Sequence, residues 1–329
     1  MREPAQTSTV RPPAMQTSAV QTPAVQTPAV QSPAVQSPAV QSPLARFVEE
    51  FAESRLALAG ALVLLAILVI ALTAPWISPQ NPYDLAQLDV LDAKLAPGEK
   101  LGNGKTALLG TDDQGRDMLS GIFYGLRISL FVGVAATVLA LLIGATAGMI
   151  AAWLGGRVDN LLMRIADIQL SFPPILIALV LLAILGQGLG KIITALVAVQ
   201  WAYYARTVRG TALVERRREY IEAAQVLALP ASRIVFRHLL PNCMPPLIVI
   251  ATVQVAAAIT LEATLSFLGL GLPITEPSLG LLIANGFNFM LSGKYWISFF
   301  PGLALLLMIV SINLVGDQLR DVLNPRLKK

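Results

Sequence analysis

The sequence predicts an all-α polytopic membrane protein with six transmembrane helices and both termini in the cytoplasm. Three observations predict it. Hydrophobic residues make up 55% of the 329-residue chain and charged residues only 13%, against roughly 25% charged in a soluble domain. Six stretches are apolar enough to cross hydrocarbon, and the basic residues gather at one end of them. The net charge of +4 is that of bases at span edges and does not point to a nucleic-acid partner. One cysteine (Cys243) and one histidine (His238) rule out an internal disulfide and a multi-cysteine or histidine metal cluster.

Residues 1–46 stand apart. From Gln16 the chain repeats QTSAV, QTPAV, QSPAV, a five-residue period rich in proline and polar residues. Such a segment buries too little apolar surface to offset its ordering entropy, so a disordered cytoplasmic tail is expected. A cleavable signal peptide does not fit, because the first apolar stretch follows this tail. Residues 47–55 (FVEEFAESR) alternate at helical spacing and predict an amphipathic helix on the membrane surface. Residues 56–74 carry no charge and, at 1.5 Å per residue, extend about 28 Å, enough for a first span.

Residues 75–127 are polar and proline-bearing, and predict an ordered external lobe. Residues 128–317 form the membrane core. Within it, 128–153 is a second span whose Gly, Ala and Val allow close helix packing. The third, 168–185, has Pro173 and Pro174 near its start, where a kink or break is expected. The fourth, 192–205, lies between Lys191 and Arg206 and spans only if Lys191 snorkels and the helix continues past Arg206. Residues 245–261 and 297–316 are the fifth and sixth, and 318–329 a cytoplasmic tail. In this topology Arg157, Arg164, Arg209, Arg216, Arg217, Arg218, Arg233, Arg237, Arg320, Arg326, Lys328 and Lys329 share one side, cytoplasmic by the positive-inside rule.

Residues 206–242 form a loop between the fourth and fifth spans that is basic, polar and helix-prone. From Glu219 to Asn242 it reads EYIEAAQVLALPASRIVFRHLLPN. Glu219, Ile221, Ala223, Ala224, Val226 and Leu227 favour a short helix with an apolar face, Pro230 ends it, and a second helix leads to Pro241. Such a helix suits a groove on a soluble partner. Any basic linker satisfies the positive-inside rule; the spacing is what separates this one. Glu222-Ala223-Ala224, three residues, Ala228, nine residues, a variable pair and Leu240-Pro241 resemble the cytoplasmic EAA loop of ATP-binding-cassette (ABC) importer permeases. The pattern has glycine where this chain has Ala228, which removes a residue suited to positive φ.

The resemblance extends further. Leu109–Leu130 (LGTDDQGRDMLSGIFYGLRISL), Ser266–Gly280 (SFLGLGLPITEPSLG) and Phe299–Lys328 are similar to the corresponding regions of the C permease of the dipeptide, oligopeptide and nickel group. It implies a type I ABC importer permease fold in a bacterial inner membrane, with lipid around it. It also implies partners: a homologous second permease, two ATP-binding subunits carrying ATP and Mg, and an extracytoplasmic substrate-binding protein. This chain would bind no cofactor and catalyse no reaction, its half of the pathway passing di- or oligopeptides. Nickel or another small solute, and an ion-coupled secondary transporter, are the alternatives. The last requires several ionisable groups at mid-membrane and paired broken helices.

Four further features bear on function. GEKLGNGKT (Gly98 to Thr106) invites a phosphate-binding loop, but the position needing the first glycine holds Glu99, so a turn is expected. Asp112, Asp113, Arg116 and Asp117 fit a locally paired turn and helix cap, while the lobe as a whole suits contact with a binding protein or an outer gate. Glu262, near the outer end of the fifth span, has two readings: a pathway carboxylate, or a structural hydrogen bond to a neighbouring helix. Arg164 and Asp167 suit a span boundary, His238 docking or structure, and Cys243 packing.

Overall fold

The computed structural model describes residues 43–323 except Leu85, Gln87 and Ile274. The repeat segment through Ser42 and the last six residues, with Arg326, Lys328 and Lys329, lie outside the described residues. Among the described residues there is no strand, only two isolated bridges in the lobe. Among the described residues four helices are long and apolar enough to cross a membrane, up to five if a bent pair counts as one span.

Helix α1 (Pro43–Ala52) starts four residues before the expected surface helix at 47. Ser54 then accepts the Ala57 N–H at 3.2 Å and caps α2 (Arg55–Ile77). Helix α3 (Met118–Leu154) is 37 residues long, about 55 Å at the usual rise. It begins ten residues before the expected second span, so 118–127 is helix and not lobe. Two glycines at positive φ, Gly155 at 64° and Gly156 at 55°, turn the chain off the end of α3.

Helices α4 (Gly156–Leu170) and α5 (Pro174–Leu185) meet at 93°. The break falls at Ser171 to Pro173, where Pro174 opens the new helix without needing an N–H partner. The expected third span is therefore a broken element. Helix α6 (Leu189–Glu215) runs ten residues past the expected end at Ala205. It carries Arg206 and Arg209 because α4 supplies acids: Arg209 Nε and Nη2 contact Asp159 at 2.5 and 2.6 Å, and Arg206 pairs with Asp167. Gln169 Nε2 also donates to the Ala198 and Val199 carbonyls. With these charges α6 is not among the helices apolar enough to be counted as spans.

Small residues set the core. A Cβ on Gly144 would lie 2.3 Å from the Trp201 carbonyl oxygen, and one on Gly148 2.3 Å from the Ala205 carbonyl oxygen, so α3 and α6 touch backbone to backbone. After the loop helices α7 (Glu219–Val226) and α8 (Ala231–Arg233), a π-helical turn (Ile234–Leu239) runs straight into α9 (Leu240–Phe267). A nine-residue helix, α10 (Leu279–Phe287), is capped by Ser278; Ser298 of α11 (Trp296–Leu323) donates to its Ile283 carbonyl at 2.6 Å, and an edge-on Phe267–Phe287 pair joins it to α9. Gln318 of α11 donates to the Glu50 carbonyl of α1 at 3.0 Å, so the first six residues of the expected tail are helix.

Candidate coupling site

Glu222, Ala223 and Ala224 all lie on α7, and Ala228 follows its C-cap, Leu227. The Leu229 N–H donates to the Ala224 carbonyl at 3.2 Å and the Ala228 N–H to the Gln225 carbonyl at 2.9 Å. That six-to-one and five-to-two pair is a Schellman cap, whose C′ residue is left-handed. Here C′ is Ala228, with φ 52°. The chain therefore makes the glycine bend with an alanine and holds a side chain where glycine is favoured.

The cap aims Leu229 back at the helix. Ile221, Ala224 and Ile234 form a small buried cluster with Leu229 and Trp153 packed on it. Trp153 sits at the end of α3, and Arg216 fixes it there. The Arg216 guanidinium lies 5.2 Å from the Trp153 ring centroid, and its Nη1 donates to the Ala152 and Trp153 carbonyls at 2.9 and 3.0 Å. An arginine thus satisfies the last carbonyls of α3 while bracing α7. With Ile221 and Ala224 turned inward, the opposite face is open: Glu222 and Ala223 are exposed, Val226 is 86% exposed and Leu227 73%.

Leu240 and Pro241 are the first residues of α9 and not of a free loop. Pro241 has no N–H for the Arg237 carbonyl, and just before it the ladder widens, with the Leu240 N–H donating to the Val235 carbonyl. Phe236 is 69% exposed on this turn. The sequence reading missed Trp153 and Arg216. Their only signal was an aromatic at a span end and an arginine just after the next long helix.

Glu262 lies about 33 Å further along α9 than Leu240 at the usual rise. It is fully buried, accepting the Ser129 hydroxyl of α3 at 3.0 Å and the Ser266 hydroxyl at 2.8 Å, with Ser278 a third hydroxyl neighbour. This geometry is that of a hydrogen bond between helices, and it does not join Glu262 to the loop.

The lobe residues form a third place. Asp112 Oδ1 accepts the Gln114 and Arg116 N–H groups at 2.8 and 2.9 Å, and its other oxygen lies 3.8 Å from Arg116 Nε. Burial pushes the Asp112 carboxyl up to about 6, against the pull of Arg116 and those two N–H groups. Asp117 caps α3, accepting the Ser120 N–H at 2.8 Å, while Asp113 is half-buried beside it. Trp296 of α11 donates to the Thr111 carbonyl at 3.3 Å and ties this turn down. The Gly98 to Thr106 segment is a hairpin. Its Gly102 N–H donates to both Asp92 carboxylate oxygens, at 2.8 and 3.1 Å, and its Gly104 N–H to the Leu101 carbonyl at 2.9 Å, so these turn amides are already used. Among the described residues no three His, Cys, Asp or Glu converge as metal ligands.

Long apolar helices around a small-residue core, with a short helix braced outside them, define a multi-pass membrane protein. Residues 141–329 match the family described as binding-protein-dependent transport system inner membrane component, and 42–97 match the N-terminal TM domain of oligopeptide transport permease C. The chain belongs to this inner-membrane family of ABC importer permeases. The di/tripeptide transport system permease DppC of Pseudomonas aeruginosa is 38% identical over 286 residues, 87% of this chain and 93% of that protein. The dipeptide permease DppC of Escherichia coli is 41% identical over 287 residues, covering 87% and 94%. The oligopeptide permease OppC of Bacillus subtilis is 39% identical over 279 residues, covering 85% and 88%. An inward-facing structure of the MetNI methionine ABC transporter shares the fold, with TM-score 0.50 at 20% identity, over 63% of this chain and 98% of that one.

Proposed function

We propose that this chain is the transmembrane subunit that forms half of a pathway for di- or oligopeptides and is driven through α7. The observation that carries the reading is α7 itself, held by one face to the end of α3 and open on the face bearing Glu222, Ala223, Val226 and Leu227. A soluble partner with an apolar groove and a basic rim would seat that face. Two ATP-binding subunits, which hold ATP and Mg, fill this role. When they close, α7 moves as a lever and the spans switch between outward-open and inward-open states. A homologous second permease completes the pathway, and an extracytoplasmic binding protein delivers substrate to the lobe around Asp112 to Asp117. In this reading α6 is a span, the loop and both termini are cytoplasmic, and the count is six. The peptide assignment is supported by the names of the relatives. An ion-coupled transporter is disfavoured because Glu262 is occupied by serine hydroxyls.

The test is co-purification with the two candidate ATP-binding subunits, comparing wild type with Glu222→Arg. Wild type is expected to capture both, and charge reversal on the open face to cut capture at least about tenfold. A wild-type chain that purifies alone and moves solute down an ion gradient without ATP overturns the reading.

A further inference from the structure

Tyr220 lies on α7 next to the buried Ile221, about 100° around the helix from it, and nothing in the docking face uses it. Its hydroxyl donates to Glu215 Oε2 at 2.9 Å and accepts from Asn242 Nδ2 at 3.1 Å. Glu215 is the last residue of α6, and Asn242 is on the first turn of α9. Asn242 Nδ2 also donates to the His238 carbonyl in the π-helical turn, at 2.6 Å. One hydroxyl therefore joins three elements. The other carboxylate oxygen of Glu215 is engaged by Arg218 Nε at 3.6 Å, which leaves Oε2 to the tyrosine.

The two attachments of α7 differ in kind. Ile221 and Ala224 rest on Trp153 through apolar contact, which has no direction and lets a short helix roll about its own axis. The Tyr220 bonds are directional and lie off that axis, so rolling α7 breaks them. Burial, reinforced by Glu215, pushes the Tyr220 hydroxyl up to about 12, so it stays a donor at physiological pH.

We propose that Tyr220 is a positioning residue whose hydroxyl latches the coupling helix to the ends of α6 and α9, so that the three move as one body. The proposal rests on the reading of α7 as the coupling helix. Without the latch the ATP-binding subunits still dock, and their motion is spent in rolling α7 against Trp153.

The experiment uses the assembled transporter, with its second permease, ATP-binding subunits and binding protein, in proteoliposomes. Peptide uptake per ATP hydrolysed is compared for wild type, Tyr220→Phe and Asn242→Ala, beside capture of the ATP-binding subunits. Phenylalanine keeps the ring and removes only the hydroxyl. Capture is expected to be unchanged and uptake per ATP to fall about fivefold in Asn242→Ala, from the loss of one net hydrogen bond to Tyr220, and at least as far in Tyr220→Phe, which loses that bond and the one to Glu215. The double variant is expected to be no worse than Tyr220→Phe, since the Asn242–Tyr220 bond is already lost there. A merely structural role lowers the amount of transporter assembled and leaves uptake per ATP at the wild-type value; that result overturns the proposal. If Tyr220→Phe assembles poorly, Asn242→Ala decides alone, since it removes the other half of the bond from an exposed position. Failure of the wild type to capture the ATP-binding subunits counts against the coupling-helix reading instead.

Discussion

Replacing Ala228 by glycine removes a Cβ from a residue held at φ 52°. An L-residue in the left-handed region costs roughly 1–2 kcal/mol. Glycine gives back part of that gain through the larger entropy of its unfolded state, roughly 0.5–1 kcal/mol. Because Ala228 is exposed, its methyl group contributes little packing to set against the change. The balance is a cap more stable by about 0.5–1 kcal/mol, which slows opening of the α7 terminus about two- to fivefold. Two amides report it: the Ala228 N–H bonded to the Gln225 carbonyl and the Leu229 N–H bonded to the Ala224 carbonyl. Hydrogen exchange of the peptide containing them, in the assembled transporter, is the assay. Ala228→Val supplies the opposite sign, since a β-branched side chain fits this region worse than alanine and opening speeds up. Unchanged or faster exchange in Ala228→Gly would refute the reasoning, because the bend would then not be storing strain at Cα 228.

Three other outcomes follow from the same geometry. Gly144→Val drives a Cβ against the Trp201 carbonyl and the Tyr204 Cβ, so α3 and α6 must separate; detergent-solubilised protein is expected to be destabilised by about 1–3 kcal/mol, read as a lower melting temperature by fluorescence-detected size exclusion. Because Asp112 is raised from 3.8 to about 6, the folded lobe holds that proton to higher pH than the unfolded chain; the group's stabilising contribution is full below about pH 4 and lost as pH rises through 6, up to about 3 kcal/mol. The melting temperature of Asp112→Asn minus that of wild type should therefore grow from pH 4 to pH 7, and a flat difference contradicts the assignment. Glu262→Gln keeps acceptor and donor groups for Ser129 and Ser266, so ATP-driven uptake should stay within about threefold of wild type, whereas abolished uptake would give Glu262 a direct part in transport.

Much of the fold was legible because hydrocarbon imposes simple rules. Uncharged stretches of sufficient length marked α2, α9 and α11, and Pro173-Pro174 marked the break between α4 and α5. Where charges have distant partners, the same rules misled. Arg206 and Arg209 look like the end of a span, yet α6 continues past both because Asp167 and Asp159 on α4, 39 and 50 residues away, neutralise them. Arg127 and the polar residues before it hid the first turns of α3, although Asp117 followed by Ser120 was a cap signal at the right place. Helix α10 was hidden by its nine-residue length, with Ser278 before an apolar run its one sign. At the site, the Glu222 to Pro241 spacing was readable as a local pattern. Trp153, Arg216 and the Tyr220 bonds were not, since each joins residues from different helices.

Cross-linking from the open face of α7 tests the central claim most directly. Cys243 is the lone cysteine and is buried, so Cys243→Ser with Val226→Cys leaves a single reporter at a site 86% exposed. With the ATP-binding subunits carrying cysteines around their surface groove and an added thiol oxidant (copper phenanthroline with dissolved oxygen) to accept the two electrons, Val226→Cys is predicted to form a disulfide with them in membranes, and its yield to change when ATP is added. A reporter that forms no such cross-link, and is labelled equally fast with and without the ATP-binding subunits, would contradict docking through α7.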